Sequence, residues 1–96
     1  MRLILVFILS SIFMQASFVN MKKYYKDSQY KQVLREAKRS TAEYKNPKLH
    51  LLWGKSAEAL NLPTEAMAAY ERVLMLDEDN SEAKISLKKI YQATDR

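Results

Sequence analysis

Ninety-six residues set a ceiling of one domain, and 16 Lys and Arg against 11 Asp and Glu give a formal charge of +5. That balance favours acidic partners, a peptide or a lipid headgroup, over basic ones. The absence of cysteine excludes disulfides, thiolate zinc sites, a nucleophilic thiol and a lipid-modified N-terminal cysteine, and it leaves the compartment open.

The first residues differ from the rest. Arg2 precedes an apolar run from Leu3 to Met14, interrupted by Ser10 and Ser11, and Gln15, Ala16 and Ser17 follow. A basic head, a short apolar core and small residues after it make a secretory leader over 1–16, with the mature chain in the periplasm of a bacterial envelope. The competing reading is an inner-membrane anchor over 3–19, near the lower length limit for a span. Lys22, Lys23 and Lys26 support the anchor, because positive charge just after an apolar run opposes export.

Beyond the leader, a single glycine, two prolines and few β-branched runs predict an all-α chain. Residues 17–46 read as two short helices. Asp27 and Ser28 supply the break and a cap for the second, whose inward stripe is Tyr30, Val33, Leu34 and Ala37.

The strongest signal lies in 47–80. Asn46 is a good N-cap, Pro47 suits a first helical turn, and Asn61, Leu62 and Pro63 make the turn into a second helix. Leu49, Leu52, Trp53, Ser56 and Leu60 recur at helical spacing on the first helix; Ala66, Ala69, Tyr70, Val73, Leu74 and Leu76 do so on the second. Gly54 sits mid-helix, where glycine costs about 1 kcal/mol relative to alanine. Close approach of two backbones at Gly54 and Ala66 would offset that cost, with Trp53, Tyr70 and Val73 packing the flanks.

The pattern His50-x2-Trp53-Gly54-x2-Ala57, then Ala66-x3-Tyr70, then Glu78 resembles the tetratricopeptide repeat (TPR), a two-helix unit of about 34 residues. His50 stands where that family has an aromatic, Ala57 where it has tyrosine and Glu78 where it has the closing proline. The resemblance implies a short α-solenoid of antiparallel helix pairs with 17–46 as a degenerate repeat. A shift of 33 places Tyr24 over Ala57, Met21 over Gly54, Val33 over Ala66 and Ala37 over Tyr70.

Residues 81–93 hold one further helix. Asp79 and Asn80 cap it, Glu82 favours its first turn, and Ala83, Leu87, Ile90, Tyr91 and Ala93 form its buried side. Lys88 falls over Gly54, so this helix reads as a solvent-facing cap, with the last four residues fraying. Two units and a cap fall below the roughly three repeats such arrays need, which points either to pairing with another copy or partner or to a place within a longer protein.

Catalytic chemistry finds no constellation. His50 has no thiol to pair with and reads as a partly buried packing residue, and no glycine-rich loop exists to cradle phosphate. Asp77, Glu78 and Asp79 begin like a calcium loop, but Glu82 stands where the turn glycine belongs and Lys88 where the bidentate glutamate belongs. No enzyme activity, cofactor or metal is expected.

In proteins of this resemblance, first helices line a concave groove that takes extended peptides. Lys22, Lys55 and Lys89 share one register and form a column there, flanked by Tyr25, Lys26, Leu51, Glu58, Ile85 and Gln92. Ammonium groups suit an acidic segment or a C-terminal carboxylate; the alternative is that they only solvate an exposed face. A retained leader would set Lys22, Lys23 and Lys26 beside anionic headgroups, at about 1 kcal/mol each. Nucleic acid, through basic residues between Tyr24, Tyr25 and Tyr30, ranks last, since an exported chain rarely meets it.

Overall fold

A computed structural model describes residues 17–94, so the leader reading over 1–16 lies outside the described residues. Five helices stand in chain order: α1 (Ser17–Lys26), α2 (Tyr30–Arg39), α3 (Pro47–Ala59), α4 (Pro63–Leu76) and α5 (Ser81–Thr94). A single 3-10 turn, Thr41–Glu43, lies between α2 and α3. Among the described residues there is no strand. Each helix packs on its chain neighbour, except that the step from α1 to α3 is also bridged. The result is a short helical solenoid of two antiparallel pairs, α1/α2 and α3/α4, closed by α5.

Local chemistry places the helix ends. The Asn46 side chain accepts the Lys48 amide at 3.0 Å and Pro47 opens α3; Pro63 opens α4. Asn80 caps α5 by accepting the Ala83 amide at 2.9 Å, and Asp77 accepts from the Asn80 amide group. The caps of the two units are not alike. Ser28 does not cap α2; the preceding position is Gln29, which makes no side-chain capping bond.

Ser28 has another role. It and Asn61 are the non-glycine residues with positive φ among those described, at 59° and 58°. Each ends the first helix of its pair in the same way. Gln29 N–H bonds back to Tyr24 C=O and Ser28 N–H to Tyr25 C=O; Leu62 N–H bonds to Ala57 C=O and Asn61 N–H to Glu58 C=O. This left-handed stop satisfies carbonyls that the helix end would strand. The two motifs fall 33 residues apart, the same offset that aligns the two units in the sequence.

The core runs continuously through both pairs: Met21, Val33, Leu34 and Ala37, then Leu49, Trp53, Ala57, Ala66, Ala69, Tyr70 and Val73, then Ala83, Leu87 and Ile90. Leu52, Leu60 and Leu74 pack half-buried against it, Tyr30 is half-buried too, and three further expected positions lie outside it. Leu76, Tyr91 and Ala93 face solvent. Leu76 is the last residue of α4, and α5 presents its outer side with no second helix over it among the described residues. Lys88 faces solvent as expected. Instead of fraying from Ala93, α5 continues to Thr94, whose hydroxyl donates to Ile90 C=O at 2.8 Å.

Gly54 is buried, and its neighbour is a ring rather than a backbone. A methyl group placed on it would lie 2.6–2.8 Å from Cε1, Cδ1 and Cζ of Tyr70. The glycine therefore opens a slot for the tyrosine to cross α3; Ala66 is also buried, but the atoms nearest the glycine are those of the Tyr70 ring. A fixed aromatic ring, unlike a flexible chain end, cannot yield to the extra carbon.

Candidate functional site

Tyr70 links the core to the proposed binding face. Its ring is fully buried against Gly54, and its hydroxyl emerges to donate to the Glu58 carboxylate. Burial raises the hydroxyl's pKa, the bond to Glu58 raises it further, and Ser86 acts in the opposite sense. The tyrosine stays neutral at any physiological pH. Its tip thus joins an α4 hydroxyl to an α3 carboxylate.

Of the nine residues expected to line the groove, Lys22, Lys26, Glu58, Ile85, Lys89 and Gln92 are exposed and Tyr25, Leu51 and Lys55 are half-buried. Their side chains are not equally free. Lys55 reaches Glu82 on α5 at 2.6 Å, tying successive first helices together. Lys22 lies over the Phe18 ring at 5.0 Å. Tyr25 meets Tyr30 edge-on with centroids 5.7 Å apart. Leu51 packs on the core. Lys26 and Lys89 make no ion pair among the described residues.

A second assembly has no counterpart in the repeat pattern. Arg72 of α4 lays its guanidinium over Trp53 at 4.3 Å and near Tyr44 at 5.9 Å. Its Nε donates to His50 Nδ1 at 3.1 Å, which leaves the His50 Nε2–H to donate to Tyr44 C=O at 2.6 Å. His50 stacks on Trp53 with the planes 18° apart and meets Tyr44 edge-on. Trp53 Nε1–H donates to Glu65 at 3.2 Å, and the other oxygen of Glu65 meets Lys38 of α2 at 3.5 Å. This chain of contacts joins α2, α3 and α4. His50 is wholly buried rather than partly so, and both ring nitrogens are occupied. Its pKa is lowered, chiefly by burial; the Tyr44 carbonyl opposes that and the Arg72 charge adds to it. The signal available beforehand was Arg72 itself, the only basic residue between Lys55 and Lys84.

Charge divides sharply along the solenoid. Residues 17–46 carry eight basic and three acidic side chains, whereas 47–80 carry three and six. The basic excess includes Lys31, Arg35 and Lys38, which border an opening of about 430 Å³ floored by Leu34, Leu60 and Leu62.

No group of His, Asp and Glu among the described residues is placed to hold a metal ion, and no described helix is long and apolar enough to cross a membrane. Comparison with protein-family models, with curated proteins and with solved structures found no match.

Proposed function

We propose that this chain is a TPR-like interaction scaffold, working without catalysis, that takes an acidic peptide, or a partner's C-terminal carboxylate, on the face made by α1, α3 and α5. The observation that carries the reading is the recurrence of Lys22, Lys55 and Lys89 at one register of three successive first helices. A row of ammonium groups offers rotatable donors to carboxylates spaced along an extended strand. Tyr70 and Glu58 bear on the same face, and they add a requirement: an incoming acidic group must avoid Glu58 and draw Lys55 from Glu82. An exposed ion pair of that kind is worth at most about 1 kcal/mol, so the exchange is cheap.

The scaffold works in the envelope, either exported to the periplasm or held at the inner membrane by residues 3–19. A second reading follows from Lys22, Lys23 and Lys26 directly after the apolar segment: an anchored accessory subunit contacting anionic lipid.

The probe is a fluorescent Asp- and Glu-rich peptide with a free C-terminus, beside its amidated form, titrated in a salt series. Replacing Lys22, Lys55 and Lys89 together with Ala weakens binding at least about tenfold at low salt, with helicity retained. Equal binding by the triple variant at low and high salt rules the groove out. Sedimentation with phosphatidylcholine vesicles, with and without phosphatidylserine, tests the lipid reading; no added binding with phosphatidylserine ends it.

A further inference from the structure

The molecule exposes two patches of opposite chemistry, and they fit each other. The first is the opening on α2. Lys31, Arg35 and Lys38 are spaced i, i+4 and i+7, so they share one helix face. Lys38 is engaged by Glu65, but Lys31 and Arg35 have no acidic partner among the described residues. Leu34, Leu60 and Leu62 form an apolar floor between the cations, and Leu62 is 42% exposed. A merely solvated lysine face would lack that floor.

The second patch ends α4. Met75 is 83% exposed and Leu76 43% exposed, and the acidic turn Asp77, Glu78, Asp79 follows at once. Asp77 is used locally, accepting from Asn80, whereas Glu78 and Asp79 are exposed with no basic partner among the described residues. An apolar residue next to carboxylates is the ligand that an apolar floor ringed by cations accepts.

We infer that copies of this chain associate head to tail, with Leu76 of one copy entering the Leu34/Leu60/Leu62 floor of the next and Glu78 and Asp79 meeting Lys31 and Arg35. The contact cannot close within one chain. Leu60 and Leu62 lie just before α4 and the acidic turn just after it, about 20 Å away along fourteen residues of helix. The two patches are different surfaces, so the interface is heterologous and forms a ring or an extending row. None of these residues belongs to the lysine column, so this inference and the groove reading fail separately.

The test uses the full chain in nonionic detergent, followed by sedimentation velocity over a concentration series at low and high salt. The wild-type chain self-associates at low salt, and high salt weakens the association. Reversing the notch (Lys31→Glu with Arg35→Glu) or the turn (Glu78→Lys with Asp79→Lys) weakens it at least about tenfold, and mixing the two reversed chains restores it. Lys31→Ala with Arg35→Ala serves as a milder pair should a reversal disturb the helices. A chain that stays monomeric at low salt overturns the inference. So does association that ignores both salt and the substitutions, as contact through the apolar leader would, or a mixture that fails to recover.

Discussion

The two helix pairs solve one packing problem with opposite choices. In α3/α4 the first helix contributes nothing at the crossing, Gly54, and the second contributes a large ring, Tyr70. At the register-equivalent places in α1/α2 the first helix contributes Met21 and the second Ala37, and both are fully buried. The larger side chain sits on the first helix in one pair and on the second in the other, while the left-handed stops at Ser28 and Asn61 stay in step. What repeats is the backbone and the filled space, and the side chain that fills it is free to change helix.

The comparison breaks most visibly at Tyr70. Tyr70→Ala empties the slot over Gly54 and removes the bond to Glu58, and chemical denaturation should show a loss of about 4 kcal/mol, enough to unfold much of so small a domain. Met21→Gly restores the glycine of the second unit to the first. If volume has been exchanged, it costs about 3 kcal/mol, because Ala37 cannot fill the gap. A stabilising Met21→Gly would show that the two pairs are not complementary in this sense.

Gly54→Ala sharpens the same point from the other side. Alanine gains about 1 kcal/mol in helix propensity, but a methyl group within 3 Å of a buried ring costs more. The net loss should be about 1 kcal/mol, with reduced protection of Tyr70 in ultraviolet spectra. Adding Tyr70→Phe should leave that loss in place, since the ring carbons cause it.

The pair α3/α4 alone also carries a buried histidine. Its folded pKa lies below the ordinary 6.5, so the unfolded chain binds a proton first as pH falls. Stability from His50 is complete above about pH 6.5 and declines below it, until pH reaches the folded value. Thermal melts between pH 7.5 and 5 should show this decline, and His50→Gln should flatten it. The smallest effect is expected at the link between first helices: Lys55→Met removes the contact to Glu82 for about 0.5 kcal/mol and leaves the fold intact.

Much of the architecture was legible because its signals are local. Asn46 and Asn80 each fix a helix end through a bond that spans two or three residues, and Pro47 and Pro63 do so through their fixed φ. The glycine was legible as a place of close approach, yet its partner was not, since sequence spacing cannot say whether a ring or a backbone fills the space. Serine is a common cap, so Ser28 invites that role in the sequence; the left-handed stop claims it instead, and Gln29 takes the position before α2. Leu76 continues the apolar stripe of α4 by number alone, but it is the last helical residue and nothing described covers it. Arg72 stands out in the sequence only as an isolated positive charge, and its structural role is hidden because a charge on a helix usually faces water. A guanidinium is flat and weakly hydrated enough to lie on Trp53 instead.

The seating of Tyr70 on Gly54 is tested most directly by nuclear magnetic resonance. The account predicts strong cross-relaxation between the Gly54 α-protons and the Tyr70 ring protons, with at least one Gly54 α-proton shifted upfield by the ring. Gly54 α-protons at unshifted positions, with no cross-peak to Tyr70, would contradict it.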